Sequence, residues 1–186
     1  MQIDHYERII NKSELLYSKD QLGKAIDNMA KAISEKLEAK NPILISVLTG
    51  ALVVTGQLLI RLNFPLRVDY LHATRYGGKV EASNLEFIVK PRLPLKNQTV
   101  LIVDDIIDTG LTLKAIVDYC FQEGAKEVYT AAMIDKKVCR DPEGLLKADF
   151  IGLEIPDKFI VGYGLDYEEY LRNLDGIYVM PKEELF

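Results

Sequence analysis

The longest regular pattern of apolar and polar residues lies near the start of the chain, between residues 19 and 38. Apolar side chains recur there at intervals of three and four: Leu22, Ile26, Met29, Ile33 and Leu37. This spacing places them on one face and leaves lysines and acids on the other, so it predicts an amphipathic helix over 19–38. Ser18 or Asp20 is expected to cap its start, and Asn41 followed by Pro42 to end it.

The rest of the pattern alternates short apolar runs with helical spacing. Residues 43–48 and 99–103 are nearly unbroken apolar runs, which are typical of strands buried on both faces of a parallel sheet. Further strands are predicted at 66–71, 85–89 and 127–134, and further helices at 51–62 and 111–123. This alternation predicts an α/β fold with a parallel sheet and right-handed crossovers. Functional residues are expected beyond the carboxyl ends of the strands, where ligands bind in such folds.

Length and composition fit one globular domain over residues 1–186. Hydrophobic residues make up 48% of the chain and its net charge is −5, which argues against a disordered chain and against a broad nucleic-acid surface. Cys120 and Cys139 are the only cysteines, too few for a disulfide framework or a four-cysteine zinc site. No signal peptide or membrane span is recognisable, so we expect a cytoplasmic protein without a membrane partner.

Three acids and a Thr-Gly-x-Thr turn follow the apolar run 99–103. Asp104 and Asp105 are costly at the end of a buried strand unless a metal ion or sugar hydroxyls satisfy them. The turn from Asp108 to Thr112 lies at the start of a predicted helix, where backbone N–H groups and the helix dipole favour a phosphate. Gly110 lets the backbone come close to a ligand, and the threonines add hydroxyl donors.

A simpler explanation for part of this stretch is helix capping. Asp108 or Thr109 alone is explained as an N-cap by the usual residue preferences. Capping does not account for Asp104 and Asp105, and no lysine follows the turn as a Walker phosphate loop requires.

The stretch from Val100 to Thr112 resembles the phosphoribosyl-pyrophosphate-binding motif of type I phosphoribosyltransferases. That resemblance implies a parallel sheet flanked by helices, with a small hood and a flexible lid loop. It also implies that Asp104 and Asp105 contact the ribose hydroxyls and an associated Mg²⁺. The residues expected to hold the 5′-phosphate are Asp108, Thr109, Gly110, Leu111 and Thr112. With aspartate at position 108, the stretch is similar to that of the 6-oxopurine branch of the family, although Asp104 replaces the glutamate that is usual in that branch.

A second stretch, from Glu154 to Tyr167, looks like the base-binding segment of hypoxanthine-guanine phosphoribosyltransferases. The resemblance implies that Phe159 stacks on the purine, beside Lys158, and that the Ile160 carbonyl accepts from a guanine 2-amino group. Lys136 matches the family lysine that donates to the purine 6-oxo group. Without the resemblance, Phe159 is better explained as a core residue and Lys136 as a solvated strand-end lysine.

The pyrophosphate and metal sites are also implied by resemblance. Thr49 and Gly50 match the pyrophosphate loop, although relatives often carry lysine at the first position. Arg172 matches a pyrophosphate-binding arginine, and a guanidinium fork suits phosphate oxygens. Asp166, with Asp104 and Asp105, is expected to face Mg²⁺. Arg75 and Tyr76 begin a polar segment, 75–83, that is either a plain hairpin loop or a mobile lid. The resemblance implies a lid, on which the family carries a Ser-Tyr pair at these two positions.

The implied activity joins hypoxanthine or guanine to the ribose phosphate of phosphoribosyl pyrophosphate with Mg²⁺, and Asp108 serves as general base toward purine N7. A homodimer or homotetramer is expected from the family. Xanthine stays open because it shares the 6-oxo group, whereas Lys136 and Asp108 disfavour adenine. One alternative hypothesis is a nucleic-acid-binding regulator of the same fold, which requires a basic face. Another is a structural module without chemistry, which leaves the acids after Val103 unexplained.

Overall fold

The computed structural model describes residues 2–75, 85–137, 140–181 and 183. The first elements in chain order are α1 (Ile3–Lys12), β1 (Glu14–Tyr17), α2 (Lys19–Leu37), β2 (Ile43–Leu48), α3 (Leu52–Leu59), β3 (Arg67–Arg75) and β4 (Leu85–Val89). The later elements are β5 (Thr99–Ile107), α4 (Leu111–Gln122), β6 (Glu127–Lys137), β7 (Phe150–Pro156), β8 (Ile160–Val161) and β9 (Ile177–Val179).

The main sheet has six strands in the order β4-β3-β2-β5-β6-β7. All neighbouring pairs are parallel except β3 and β4. This confirms the predicted α/β fold. Because β2, β5 and β6 run in the same direction, their carboxyl ends meet at one edge of the sheet.

The core forms where helices cover the apolar runs of this sheet. Residues 100–103 of β5 are completely buried, as the unbroken apolar pattern predicts for a central parallel strand. The apolar face of α2 packs against β7 and α3. Ser18 begins α2 through a capping box with Gln21, which settles the choice between the two predicted caps in favour of Ser18.

Several strands extend beyond their predicted ends. The prediction that Asp104 and Asp105 follow their strand is wrong, because β5 includes them and stays paired with β6 as far as Ile107. Likewise Lys136 lies within β6 and not after its end. Backbone pairing does not depend on side-chain polarity, so a strand continues through residues whose side chains face a ligand site.

A small antiparallel sheet, β1-β9-β8, forms the hood that the resemblance implies. Its own buried cluster is Ile9, Val161, Leu171 and Met180. The hydropathy pattern did not reveal α1 or the strands β1, β7, β8 and β9. The hood strands have only two to four residues each, which is too short for a periodic signal.

The start of the predicted lid is only partly described. Arg75 is the last residue of β3 and pairs with Leu85 of β4, while Tyr76 lies outside the described residues. Among the helices of the described chain, none is both long and apolar enough to cross a membrane.

Candidate functional site

A cleft of about 540 Å³ opens at the carboxyl ends of β2, β3 and β5. Residues of three predicted groups line it together, namely the acid pair, the phosphate turn and the pyrophosphate loop. Those that bear on the chemistry are Thr49, Gly50, Asp104, Asp105, Asp108 and Arg172. The cleft is therefore where the predicted fold places a ligand.

Asp104 and Asp105 form a buried acidic pair on the cleft floor. Asp104 is only 7% exposed, and its Oδ1 accepts a hydrogen bond from the Asp105 backbone N–H at 3.0 Å. Burial, followed by the neighbouring Asp105 charge, raises the pKa of Asp104 well above its ordinary value. Burial also raises the pKa of Asp105, although Asp104 and Arg172 oppose that shift. Such a pair is suited to a bound cation or to sugar hydroxyls.

The turn after β5 has the form expected of an anion site. Gly110 is the N-cap of α4 with φ +83°, and no side chain caps this helix. The alternative that Asp108 or Thr109 serves only as an N-cap is therefore wrong. A Cβ atom at Gly110 would overlap the Leu145 backbone, so both the dihedral angle and the close packing require glycine. Leu111 is buried, which leaves its backbone N–H as the part able to face a ligand.

The loop after β2 lies between the acid pair and the hood. The Leu48–Thr49 peptide is cis. A Cβ atom at Gly50 would overlap the Asp105 carboxylate, and one at Gly164 would overlap the Gly50 carbonyl. Glycine at position 50 thus lets the loop pass directly over the carboxylate, and the backbone of this loop is part of the cleft wall.

Arg172 connects the hood to the cleft. Its Nη1 donates to the Gly164 carbonyl at 2.8 Å, and its Nη2 lies 2.9 Å from Asp166 Oδ1 and 3.1 Å from Glu169 Oε2. Its Nε is buried and has no hydrogen-bond partner within the described residues. The guanidinium reaches the cleft while two carboxylates neutralise it.

Lys136 and Asp108 meet at the other side of the phosphate turn. Lys136 Nζ lies 2.8 Å from Asp157 Oδ1 and 3.6 Å from Asp108 Oδ2, and the lysine side chain is 17% exposed. The alternative of a solvated lysine at a strand end is therefore wrong. Asp108 itself is half exposed. The pair presents an ammonium donor directly beside a carboxylate acceptor.

Phe159 is 43% exposed, which is contrary to the core position that its residue type alone favours. Its ring lies nearly perpendicular to that of Tyr167, with the ring centroids 6.1 Å apart, and such a contact covers at most one of its two faces. Lys158 is exposed in the same connection between β7 and β8.

The backbone carbonyl of Ile160 points away from the neighbouring strand β9. Ile160 pairs with Val179, and at the neighbouring position the Met180 N–H donates to the Phe159 carbonyl at 3.0 Å. Carbonyls alternate in direction along a strand, so the Ile160 carbonyl points away from β9. Since β8 is the outer strand of the hood sheet, that carbonyl faces its open edge.

Comparisons with known proteins agree with this geometry. Residues 13–168 match the phosphoribosyl transferase domain family. The hypoxanthine-guanine phosphoribosyltransferase of Aquifex aeolicus is 36% identical over 171 residues, which cover 91% of this chain and 95% of that protein. A crystal structure of a hypoxanthine-guanine phosphoribosyltransferase from Bacillus anthracis is 31% identical with a TM-score of 0.84, covering 89% of this chain and 97% of that one. The structure of a Staphylococcus aureus hypoxanthine phosphoribosyltransferase is 27% identical, and the match covers 98% of this chain and 97% of that one with a TM-score of 0.87.

The chain belongs to the hypoxanthine-guanine phosphoribosyltransferase family.

A metal site in this hypoxanthine-guanine phosphoribosyltransferase must be judged from its donors. No group of three or more His, Cys, Asp or Glu side chains suited to a metal ion occurs in the described part of the chain. Mg²⁺ commonly uses one or two carboxylates and completes its shell with water and substrate phosphates. The buried Asp104–Asp105 pair supplies such oxygens, so the residues present fit a Mg²⁺ that arrives with a phosphorylated substrate.

Four residues around the site were not predicted from the sequence. His72 and Glu169 line the cleft, Asp157 holds Lys136, and Arg140 contacts the backbone of the phosphate turn. For His72 the structure shows only this position in the cleft wall. Asp157 and Arg140 contact residues that are distant in sequence, and no spacing pattern signals such contacts. Glu169 is the exception, because its partner is close in sequence.

Proposed function

We propose that the chain transfers the 5-phosphoribosyl group from phosphoribosyl pyrophosphate to hypoxanthine or guanine, which yields IMP or GMP and pyrophosphate. The observation that carries this substrate assignment is the 3.6 Å separation of Lys136 Nζ and Asp108 Oδ2 at the mouth of the cleft. A 6-oxopurine carries O6 and N7 side by side on one edge. The lysine donates to O6 while the carboxylate accepts from N7–H.

Adenine presents an amino donor where a 6-oxopurine presents O6. That donor would face the Lys136 ammonium, and an unmatched donor in a desolvated site is costly. The Phe159 ring supplies a stacking surface, and the outward Ile160 carbonyl accepts from the 2-amino group of guanine. Xanthine also carries the 6-oxo group, so an activity assay with each base is needed to determine whether xanthine is a substrate.

The phosphoribosyl half of the reaction is assigned to the cleft. Residues 108–112 hold the 5′-phosphate at the N-terminus of α4. Asp104 and Asp105 bind the ribose hydroxyls, and their charge stabilises the positive character that builds on the sugar ring as pyrophosphate departs. The Thr49–Gly50 backbone and Arg172 bind the departing pyrophosphate. Arg172 must exchange part of its contact with Asp166 and Glu169 for phosphate oxygens.

Mg²⁺ is the proposed cofactor, and Asp104, Asp105 and Asp166 are the residues that would hold it. When bound, it neutralises the pyrophosphate leaving group. Asp108 takes the proton from purine N7 as N9 forms its bond to ribose C1. The bond from N9 to C1 forms as the bond from C1 to pyrophosphate breaks, so the transfer is balanced.

Three further expectations stay part of the proposal. The chain works as one catalytic domain over 1–186, it forms a homodimer or homotetramer, and it acts in the cytoplasm without nucleic-acid or membrane partners. Light scattering of the purified protein measures its oligomeric state directly.

The deciding experiment is product analysis with phosphoribosyl pyrophosphate, Mg²⁺ and each of hypoxanthine, guanine, xanthine and adenine. We expect IMP and GMP to form, AMP to be absent, and a chelator of divalent ions to stop turnover. Predominant AMP formation, or no nucleotide with any base, contradicts the proposal. Retention of RNA or DNA at physiological salt without turnover favours the regulator instead.

A further inference from the structure

The connection that follows β6 supports the phosphate turn from behind. Arg140 lies in this connection and is nearly buried. Its Nη1 donates to the carbonyls of Ile107 at 3.0 Å and Lys136 at 3.1 Å, and also to that of Asp108. Its Nη2 is paired with the carboxylate of Asp135. One guanidinium therefore joins the end of β5, the phosphate turn and the end of β6.

Residues 140–145, which we call the brace, also bind the next two carbonyls of the turn. Asp141 N–H donates to the Thr109 carbonyl at 3.1 Å, and Leu145 N–H donates to the Gly110 carbonyl at 3.0 Å. Four successive carbonyls, from residue 107 to residue 110, thus all accept hydrogen bonds from the brace. Gly144 packs so closely against the turn that a Cβ atom there would overlap the Thr109 carbonyl.

This bonding determines which way the turn's amides point. In a trans peptide the N–H is directed opposite to the C=O of the same unit. With the carbonyls of 107–110 held toward the brace, the N–H groups of residues 108–111 are directed toward the cleft. Those N–H groups are what the N-terminal end of a helix offers to a phosphate.

We propose that Arg140 is a positioning residue that pre-orients the backbone amides of the phosphate turn. This inference rests on the proposed function. Arg140 lies behind the turn, so it acts through the turn's backbone and not by contact with the sugar phosphate. Asp135, which is buried beside it, neutralises the guanidinium so that its remaining donors can serve the carbonyls.

Lysine cannot replace arginine in this role, because its ammonium has three donors on one nitrogen and lacks the planar fork with which Arg140 serves three carbonyls and a carboxylate. For Arg140→Lys we expect the KM for phosphoribosyl pyrophosphate to rise about tenfold or more, with a smaller change in the KM for hypoxanthine. Arg61→Lys is the matched control, since Arg61 is paired with Asp27 and donates to the Gln57 carbonyl away from the cleft. Its KM values should stay within about twofold of the wild type.

Gly144→Ala provides a second test that leaves the buried charge pair intact. The added methyl group must displace the brace from the turn, and we expect the same selective rise in the KM for phosphoribosyl pyrophosphate. Gly23→Ala is its control, because a Cβ atom there meets nothing within 4 Å. In Arg140→Ala, added guanidinium at low millimolar concentration should partly restore turnover, which a general loss of folding would not allow.

The outcomes separate this inference from the proposed function. If the wild type forms no nucleotide, the proposed function fails. If the wild type is active but Arg140→Lys and Gly144→Ala leave the KM for phosphoribosyl pyrophosphate unchanged, the positioning role is wrong. It is also wrong if both variants only lower kcat through loss of folded protein, as circular dichroism and thermal unfolding at the assay temperature would show.

Discussion

Lys136 Nζ lies 3.6 Å from Asp108 Oδ2, and the two side chains come from the ends of neighbouring parallel strands. Asp157 contacts the same ammonium at 2.8 Å. The donor and the acceptor are therefore set side by side before any base binds. Such pre-organisation lowers the cost of selecting a base with a matching edge.

Replacing Asp108 with asparagine should remove the proton acceptor and keep the shape of the side chain. We expect kcat with hypoxanthine to fall roughly 100-fold or more, the usual contribution of a general base. Asp118→Asn, in an exposed pair with Lys114 on α4, is the matched control and should leave kcat unchanged. Unaltered turnover of Asp108→Asn across the whole pH range would remove Asp108 from this role.

Replacing Phe159 with alanine should weaken base binding and spare the fold. The exposed ring adds little to stability, so the free energy of unfolding should change by less than about 0.5 kcal/mol. Loss of stacking should raise the KM for hypoxanthine about tenfold. Phe121→Ala, at a similarly exposed ring on α4, controls for loss of surface area. An unchanged KM for the base would mean that the purine binds elsewhere.

Asp104 makes the stability of the ligand-free protein depend on pH. Burial raises its pKa, so the folded protein keeps a proton over a pH range in which the unfolded chain, with an ordinary value near 3.8, has lost it. Stability therefore falls as the pH rises from the ordinary carboxyl range through the raised pKa, and the full cost remains above it. Each tenfold change in proton affinity is worth about 1.4 kcal/mol.

Asp104→Asn removes this ionisation and keeps an acceptor for the Asp105 N–H. At pH 8 we expect the ligand-free variant to resist urea better than the wild type, and the advantage should shrink as the pH approaches 4. Urea unfolding at several pH values measures the difference. A variant that is less stable than the wild type at pH 8 would show that the buried carboxylate is not strained there.

Glu169 competes with the proposed pyrophosphate for Arg172. An exposed ion pair is worth at most about 1 kcal/mol, so Glu169→Gln should lower the KM for phosphoribosyl pyrophosphate by about two- to fivefold. Glu168→Gln, at the exposed neighbouring position, should have little effect. A higher KM in Glu169→Gln would mean that this carboxylate assists substrate binding.

The chemistry that is local in sequence could be predicted from the sequence. The acid pair and phosphate turn lie within nine residues directly after the apolar run 99–103, so their closeness to one another and to a buried strand follows from the pattern, although the strand itself continues to Ile107. The same holds for the helix that begins at Leu111 and for the amphipathic α2. The periodic signal is strongest in such long or fully buried elements.

Contacts across the fold could not be predicted in this way. Asp157 and Arg140 matter because of where β6 and the following loops bring them, and the pairing of β5 and β6 beyond Val103 leaves no apolar signal. The exposure of Phe159 is a tertiary property, and the preference of phenylalanine for cores predicts the opposite.

The most direct test of the central claim is a crystal structure of the protein with IMP. We predict that the 5′-phosphate lies against the backbone N–H groups of residues 108–111, with the purine on the Phe159 ring and O6 within hydrogen-bond distance of Lys136 Nζ. A complex in which the phosphate turn is empty and the nucleotide binds at another surface would contradict the account.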